Sequence, residues 1–250
     1  MECSNAGRVA LVTGAAQRIG AAIARELHRA GCRVLVHYRS SAAAAEQLVR
    51  ELDALRPGSC AAVQADLCRF EDVRVLAEKA AALGPGLDLL VNNASAFYAT
   101  PLGSVGDAHW NELFDANLKG AFFLSQALAP ALARERGAIV NIVDVHADIP
   151  LPQHAVYTMA KAGLAMMTRA LAVELGPSVR VNGIAPGAIL WPEQPNAVLG
   201  ATHAEALLAQ TALKRMGTPE DIAGAARFLG LEAPYVTGQI LAVDGGRNLY

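Results

Sequence analysis

A tyrosine and a lysine four residues apart, Tyr157 and Lys161, are the pair of side chains in this sequence best suited to proton transfer. At that spacing on a helix the two side chains lie on the same face. A phenol near neutral pH is a poor base and a modest acid, and a neighbouring ammonium stabilises the phenolate. The spacing therefore predicts a proton-transfer pair in which Lys161 lowers the pKa of Tyr157.

An aspartate, Asp144, lies thirteen residues before Tyr157 and ends the apolar run that begins at Gly137. A serine hydroxyl at such a position suits a carbonyl oxygen that becomes an alkoxide, whereas reduction of a ring C=N bond places the proton on nitrogen. A carboxyl group beside the ring could carry or relay that proton, or accept two hydrogen bonds from an amino-pyrimidine edge. The alternative is a loop acid that caps the next helix region or pairs with His146.

The elements that must position these side chains alternate between strand-like and helix-like segments. The predicted strands cover 8–14, 33–39, 60–66, 87–94, 137–144, 179–187 and 239–246. The predicted helices cover 18–31, 42–55, 70–83, about 107–134, 154–175 and a segment that opens at 218–221. Strands this apolar are expected to be buried on both faces, which predicts a parallel sheet with helices on both sides.

A single domain is expected, because no linker, low-complexity run or internal repeat interrupts the alternation along the 250 residues. A chain of this length can bury a sizeable core. The segment 187–215 is the exception, since it completes no strand–helix unit and long insertions are often lids or binding loops. We therefore expect a substrate lid there, with Trp191 in the lid or in the core.

The composition predicts a cytoplasmic protein with neither nucleic-acid nor membrane partners. The formal net charge is −2 with both signs interspersed, and no apolar run approaches the roughly 20 residues of a spanning helix. The N-terminus lacks the pattern of a secretory signal. The four cysteines form no C-x-x-C pair, and His146, Asp148 and His154 match no standard metal spacing. We expect reduced thiols, no metal, and three polar residues at a surface or entrance.

The turn Thr13–Gly20, TGAAQRIG, joins the first predicted strand to the first predicted helix. A dinucleotide pyrophosphate binds at such a turn, where backbone N–H groups and a helix N-terminus meet. Arg18 stands where a glycine is often found, and a cation there favours a phosphate or an electron-rich ligand edge. The alternative is an ordinary strand-to-helix turn.

The second predicted strand is followed by Arg39, Ser40 and Ser41. A site selective for NAD usually has a carboxylate here, which accepts hydrogen bonds from the ribose 2′-OH. A cation with hydroxyl donors suits a 2′-phosphate instead, so the sequence favours NADP over NAD. The alternative is a solvated arginine beside a serine that caps the next helix.

Taken together, these segments resemble the short-chain dehydrogenase/reductase family over nearly the whole chain. The resemblance is carried by TGAAQRIG, LLVNNAS, Asn117 in FDANLKG, the Tyr157–Lys161 pair and VNGIAPG. It implies an α/β fold: one Rossmann-type domain with a doubly wound, seven-stranded parallel sheet and helices on both faces. It also implies a homotetramer built on the two long helices and the C-terminal strand, in which a neighbour's C-terminus, with Arg247 as the candidate residue, reaches the site.

The family resemblance also implies roles for individual residues. Tyr157 would donate the proton, Lys161 would hold the nicotinamide ribose, and Asn117 would position a water molecule. The family's serine would fall at Asp144, which we predict to be the fourth catalytic residue. The residues implied to contact NADPH are Thr13, Gly14, Arg18, Ile19, Gly20, Tyr38, Arg39, Ser40, Asp66, Leu67, Asn93, Ala94, Ser95, Lys161, Pro186 and Gly187.

Within that family the chain resembles the pteridine reductases, through Arg18, HYRSS, NNASAFYATPL, YTMAK and Asp144 in place of the family's serine. This resemblance implies hydride transfer from NADPH to a ring carbon of a dihydropterin or an oxidised pterin, with dihydrofolate as an additional substrate. Phe97 and the nicotinamide would sandwich the pterin ring, unless Phe97 is a core aromatic. The implied substrate contacts are Arg18, Ser95, Phe97, Asp144, Tyr157 and Trp191.

Two other functions stay open from the sequence. A carbonyl reductase of the same family, acting on a 3-oxoacyl thioester, a sugar or a steroid, would keep Tyr157 and Lys161 but leave Asp144 and Arg18 unexplained. A nucleotide-sensing protein without catalysis would have no reason to hold Tyr157, Lys161 and Asn117 in register.

Overall fold

The sheet has seven strands in a computed structural model that describes residues 7–84, 86–189 and 208–249. The strands are β1 Val9–Val12, β2 Arg33–Tyr38, β3 Cys60–Gln64, β4 Leu89–Asn92, β5 Ala138–Ile142, β6 Arg180–Pro186 and β7 Ile240–Val243. Their order is β3-β2-β1-β4-β5-β6-β7, and every neighbouring pair is parallel. This topology confirms the predicted doubly wound sheet.

Helices connect the strands and cover both faces of the sheet. They are α1 Arg18–Arg29, α2 Ala42–Leu55, α3 Phe70–Ala81, α4 Asp107–Phe114, α5 Gly120–Arg134, α6 Ala155–Leu175 and α7 Pro219–Arg227. Each parallel pair of strands needs a crossover of this kind, because the second strand must start at the same edge as the first.

Two apolar cores lie on the two sides of the sheet, because successive strand side chains point to opposite faces. Leu11 and Leu90 belong to the core that α3, α5 and α6 complete. Val12 and Val91, the next residues along the same strands, belong to the core that α1, α2 and α7 complete. Each fully buried side chain of this size contributes about 1.5–3 kcal/mol, and the central strands are held rigidly as a result.

The two edge strands depart from the prediction that every strand is buried on both faces. Within β3 only Val63 is buried, and no residue of β7 is fully buried. Each edge strand has one hydrogen-bonded neighbour in the described sheet, β2 or β6, so helices cover it less completely than they cover the centre. The alternation of sequence pattern predicts a strand but not its place in the sheet.

The predicted helical stretch 107–134 contains a π-helical turn, Asp115–Lys119, between α4 and α5. Such a turn inserts an extra residue into the helix and is frequent at functional sites. Asn117 lies within it and is buried. The insertion therefore sets the direction of a predicted catalytic residue.

Part of the predicted lid 187–215 is described, namely 187–189 and 208–215, whereas Trp191 lies outside the described residues.

Among the described ranges no helix is both long and apolar enough to cross a membrane. Cys32, Cys60 and Cys68 are free thiols, and Cys3 lies outside the described residues.

Candidate active site

A cleft of about 480 Å³ opens where β1, β2, β3 and β4 end. Ligands of open parallel sheets bind at this edge, outside the carboxyl ends of the strands. Most of the predicted cofactor contacts line the cleft: Gly14, Arg18, Ile19, Gly20, Tyr38, Arg39, Ser40, Asp66, Leu67, Asn93, Ala94 and Ser95. The structure therefore brings together residues from four separate predicted turns.

The β1–α1 turn closes tightly against the segment that follows β4. Gly14 adopts a positive φ of 60°, which favours glycine. A Cβ atom on Gly20 would lie 2.3 Å from the Gly14 carbonyl oxygen and 2.5 Å from Asn93 Nδ2. Asn93 Nδ2 also donates to the carbonyl oxygens of Thr13 and Gly14, at 2.8 and 3.1 Å. The two glycines are thus required by close backbone approach, as a dinucleotide turn requires.

Thr13 lies beneath this turn, and its side chain is directed into the protein. The hydroxyl oxygen accepts hydrogen bonds from the N–H groups of Asn93 and Ala94, at 2.9 and 3.0 Å, and the residue is almost completely buried. Thr13 is not among the residues that line the cleft, and its predicted contact with the cofactor stays a prediction. Thr13 instead ties β1 to the loop after β4.

Two exposed arginines, Arg18 and Arg39, line the cleft. Neither forms an ion pair with any residue that the structure describes. Arg18 is the first residue of α1 and has a φ of 54°, a conformation that is costly for a residue other than glycine. Two cations beside a helix N-terminus fit the phosphate groups of a dinucleotide.

Asp144 and Tyr157 meet at the end of β5. The Tyr157 hydroxyl donates to Asp144 Oδ2 at 2.5 Å, and the ring is nearly completely buried. The other carboxylate oxygen, Oδ1, accepts the N–H of His146 at 2.9 Å and so caps the short 3₁₀ turn Val145–Ala147. One oxygen thus caps the Val145–Ala147 turn, and not the helix region 154–175 of the alternative interpretation, while the other faces the tyrosine. The catalytic role of Asp144 stays a prediction.

The pKa of Tyr157 lies well above its usual range. Burial is the largest cause, and the Asp144 carboxylate adds to it by its charge and its hydrogen bond. Lys161 Nζ lies 5.8 Å from the Tyr157 ring centroid and donates to the Ile142 carbonyl oxygen at 2.9 Å. The prediction that Lys161 lowers the pKa of Tyr157 is therefore wrong for this arrangement. Tyr157 therefore stays protonated near neutral pH, and its hydroxyl proton is directed at Asp144.

Lys161 is completely enclosed on α6, one turn after Tyr157. Burial lowers the pKa of its ammonium group to about 8, and the charge of Asp144 opposes that effect. Lys161 therefore changes charge much closer to physiological pH than a solvated lysine does.

Asn117 fixes the loop that follows β4. Its side-chain nitrogen donates to the carbonyl oxygens of Ala96 and Leu113, at 2.9 and 2.8 Å, and its side-chain oxygen accepts from Ser95 Oγ at 2.6 Å. Protein groups thus engage both ends of the amide. The side chain positions Ser95 and its neighbours, and the predicted role in holding a water molecule stays a prediction.

Phe97 stands at the end of the cleft with 56% of its surface exposed, so the alternative that it is a core aromatic is wrong. Its ring stacks on His154, with centroids 4.8 Å apart and planes 12° apart. The Phe97 and Tyr157 rings meet edge to face, with centroids 4.8 Å apart and planes at 79°. The flat aromatic surface of Phe97 therefore borders Tyr157, and the prediction that His154 lies at the surface or entrance stays a prediction.

Other predicted site residues lie away from the lining of this cleft. Pro186 ends β6, and a Cβ atom on Gly187 would lie 2.7 Å from the Cα of Asp244, so this glycine is required by packing after β7. Arg247 lies in the 3₁₀ turn Arg247–Leu249. The contacts predicted for these three residues stay predictions.

Some residues of the cleft were not predicted from the sequence. They are Ala16, Gln17, His37, Cys68, Ala96 and Ala116. His37 gave a signal, because it is a polar residue directly after the apolar run Val34–Val36. The alternative that Ser41 caps α2 by its side chain is not supported, since Ser41 is the N-cap residue but makes no such hydrogen bond.

Known proteins resemble this chain over nearly its full length. The family described as enoyl-(acyl carrier protein) reductase matches residues 14–248. The 3β-hydroxysteroid dehydrogenase 1 of Eggerthella lenta is 38% identical over 98% of this chain and 95% of its own length. Pteridine reductase 1 of Leishmania tarentolae is 37% identical over 100% of this chain and 99% of its own length.

A solved structure has the same fold. It is a blue fluorescent protein from a metagenomic library in complex with NADPH, with a TM-score of 0.89 and 36% identity, and the match covers 98% of this chain and 99% of that one. The NADPH complex agrees with a cofactor cleft in this chain, and Tyr157 contacts Phe97 in the lining of that cleft. The chain therefore belongs to the short-chain dehydrogenase/reductase family and is an oxidoreductase that uses a nicotinamide cofactor.

Proposed function

We propose that this protein is an NADPH-dependent pteridine reductase. Its reaction adds hydride to a ring carbon of a dihydropterin or an oxidised pterin, at a C=N bond, and dihydrofolate is an additional substrate. The observation that carries the proposal is the hydrogen bond of 2.5 Å between Tyr157 and Asp144. The resemblance to carbonyl reductases of the family leads us to expect a serine at position 144, where this chain has an acid.

The chemistry of the pair suits a ring C=N bond. The bound cofactor supplies the hydride, and one proton must reach the ring nitrogen. Tyr157 holds that proton, because burial and Asp144 keep its pKa high. Asp144 is partly exposed at the surface of the site and can pass a proton from solvent back to Tyr157. The net change is one hydride and one proton added across C=N, which leaves the ring as CH–NH.

The walls of the site suit a flat heteroaromatic substrate. Phe97 presents an exposed ring beside Tyr157, and aromatic rings favour stacked neighbours. Ser95 and Arg18 line the same cleft and supply polar contacts for the edge of a pterin. A substrate recognised only by its carbonyl group would need no contact with Phe97, Ser95 or Arg18.

The cofactor preference follows from the end of β2. Arg39 and Ser40 line the cleft there, and Arg39 is exposed with no ion pair in the described part of the chain. A cation and a hydroxyl bind a 2′-phosphate, whereas a carboxylate at this place would repel it. We expect Arg39→Ala to raise the KM for NADPH far more than the KM for NADH, and equal effects would contradict the assignment.

The activity test compares pterin and carbonyl substrates. Purified protein is mixed with NADPH and 7,8-dihydrobiopterin, and absorbance at 340 nm is followed beside parallel reactions with a 3-ketosteroid and a 3-oxoacyl thioester. Asp144→Ser should lower pterin turnover about a hundredfold, as loss of a proton-transfer group does, while the Kd for NADPH is kept. Asp148→Ser is the matched control, because Asp148 is an exposed acid four residues later, and its turnover should be unchanged.

A carbonyl reductase is the second candidate, favoured by the 38% identity to a steroid dehydrogenase. Such an enzyme would turn over the steroid or the thioester efficiently and leave 7,8-dihydrobiopterin untouched. That outcome would remove the pterin proposal and keep the family assignment.

A further inference from the structure

A buried histidine, His37, forms part of the floor of the cofactor cleft. It lies on β2 directly before Tyr38, and 2% of its surface is exposed. Its Nδ1 accepts the N–H of Gly14 at 3.1 Å, and its Nε2 contacts the Ala65 carbonyl oxygen at 3.1 Å. A backbone N–H can only donate and a carbonyl oxygen can only accept. The ring is therefore neutral, with its proton on Nε2.

The backbone of the same residue holds the same turn. The His37 carbonyl oxygen accepts the N–H of Ala15 at 2.8 Å. His37 thus holds two consecutive N–H groups of the β1–α1 turn. On its other side the ring hydrogen-bonds the Ala65 carbonyl oxygen. Ala65 directly precedes Asp66 and Leu67, which line the cleft.

We infer that His37 is a positioning residue of the cofactor site, whose neutral imidazole holds the Gly14 turn and the Asp66 segment at the separation that a dinucleotide requires. The inference rests on the proposed NADPH site. The two segments follow different strands, β1 and β3, and a single ring makes both of these side-chain bonds. Preorganised backbone of this kind lowers the cost of binding, because the turn is already ordered before the ligand arrives.

Electrostatics support the same arrangement. Burial lowers the pKa of His37 to about 4, although the charge of Asp66 opposes that change. An imidazolium would point an N–H at the Gly14 N–H, and two donors would face each other. The ring therefore stays neutral through the physiological range and keeps both bonds.

Two substitutions separate the two bonds. The side-chain oxygen of asparagine takes the place of Nδ1, so His37→Asn keeps an acceptor for Gly14 and loses the bond to Ala65. The longer glutamine places its amide near Nε2, so His37→Gln keeps the bond to Ala65 and loses the acceptor for Gly14. The Kd for NADPH, measured by calorimetry, should rise about tenfold in both His37→Gln and His37→Asn, because each variant loses one of the two hydrogen bonds, and tenfold is within the range expected for one lost hydrogen bond. Turnover at saturating NADPH should stay within about twofold of wild type, because His37 does not touch the reacting atoms.

The matched control is His28→Gln. His28 is also buried and bonds Ser59 at 2.7 Å, but it does not line the cleft. Loss of the His28 imidazole should lower the free energy of unfolding and leave the Kd for NADPH unchanged. An unchanged Kd for NADPH in either His37→Gln or His37→Asn would overturn the inference.

Two further measurements keep the result decisive. If wild type binds NADH and not NADPH, the same series is run with NADH. Failure of the proposed NADPH preference is then distinguished from failure of the His37 inference. If His37→Gln does not fold, the nitrogen resonances of His37 in wild type decide. They should show a protonated Nε2 and an unprotonated Nδ1 from pH 5.5 to 8. Addition of NADPH should shift the Gly14 amide resonance. The opposite tautomer, or an unmoved Gly14 resonance, would overturn the inference.

Discussion

At the residue scale, the site differs from a simple tyrosine–lysine pair because Asp144 accepts a hydrogen bond from the tyrosine. The Tyr157–Asp144 hydrogen bond of 2.5 Å keeps the phenol protonated, and the buried Lys161 is held by a backbone carbonyl instead of by the phenol. The three groups therefore divide the work. In the proposed reaction Tyr157 donates the proton, Asp144 returns it, and Lys161 supplies a positive charge whose presence depends on pH.

The charge of Lys161 predicts the alkaline limb of the pH profile. Because its pKa lies near 8, the ammonium form is present below that pH and is lost as pH rises through it. We expect kcat/KM for NADPH, which reports the free protein, to fall above about pH 8. Lys161→Arg keeps a charge throughout, so its lower activity should stay flat to about pH 10. A wild-type profile that is level from pH 6 to 9.5 would contradict the role.

At the element scale, local pattern predicted most of the fold. The run of apolar residues to Val143 and the helical spacing after it place Asp144 at a strand end and Tyr157 on the next helix, and the structure confirms both. The π-helical turn at Asp115–Lys119 was missed because one inserted residue leaves the apolar spacing nearly unchanged. The His37 bonds were missed for another reason: their partners are 23 and 28 residues away, and no local pattern carries such a contact.

The start of α7 is a predicted feature whose stability can be measured. Asp221 accepts the N–H of Thr218 at 2.8 Å and also pairs with Arg215, and these bonds lower its pKa. Asp221→Ala should lower the free energy of unfolding by about 1 kcal/mol, the usual value of a lost cap. Glu220→Ala is the matched control in the same turn and should cost less than about 0.5 kcal/mol. Urea unfolding checks both, and equal losses would show that the cap contributes nothing.

At the scale of the whole molecule, apolar side chains remain exposed on one stripe of α6. Met159, Met166 and Val173 are spaced by seven residues, and their exposed fractions are 44, 60 and 84%. Residues seven apart lie on the same face of a helix, two turns from each other. A stripe of this kind costs free energy in water unless another surface covers it, which supports our proposal that the chain assembles as a homotetramer on its long helices and β7.

The stripe makes the proposed assembly testable by substitution. We expect wild type to sediment as a tetramer at micromolar concentration, and the double substitution Met166→Glu, Val173→Glu to sediment as a smaller species, because charges facing each other across the contact would be desolvated. Leu55→Glu is the control, since Leu55 is 75% exposed on α2, outside the proposed contact. That variant should keep the wild-type mass. A monomeric wild type would contradict the assembly while leaving the site within each chain intact, because Asp144, Tyr157 and Lys161 all meet within one copy.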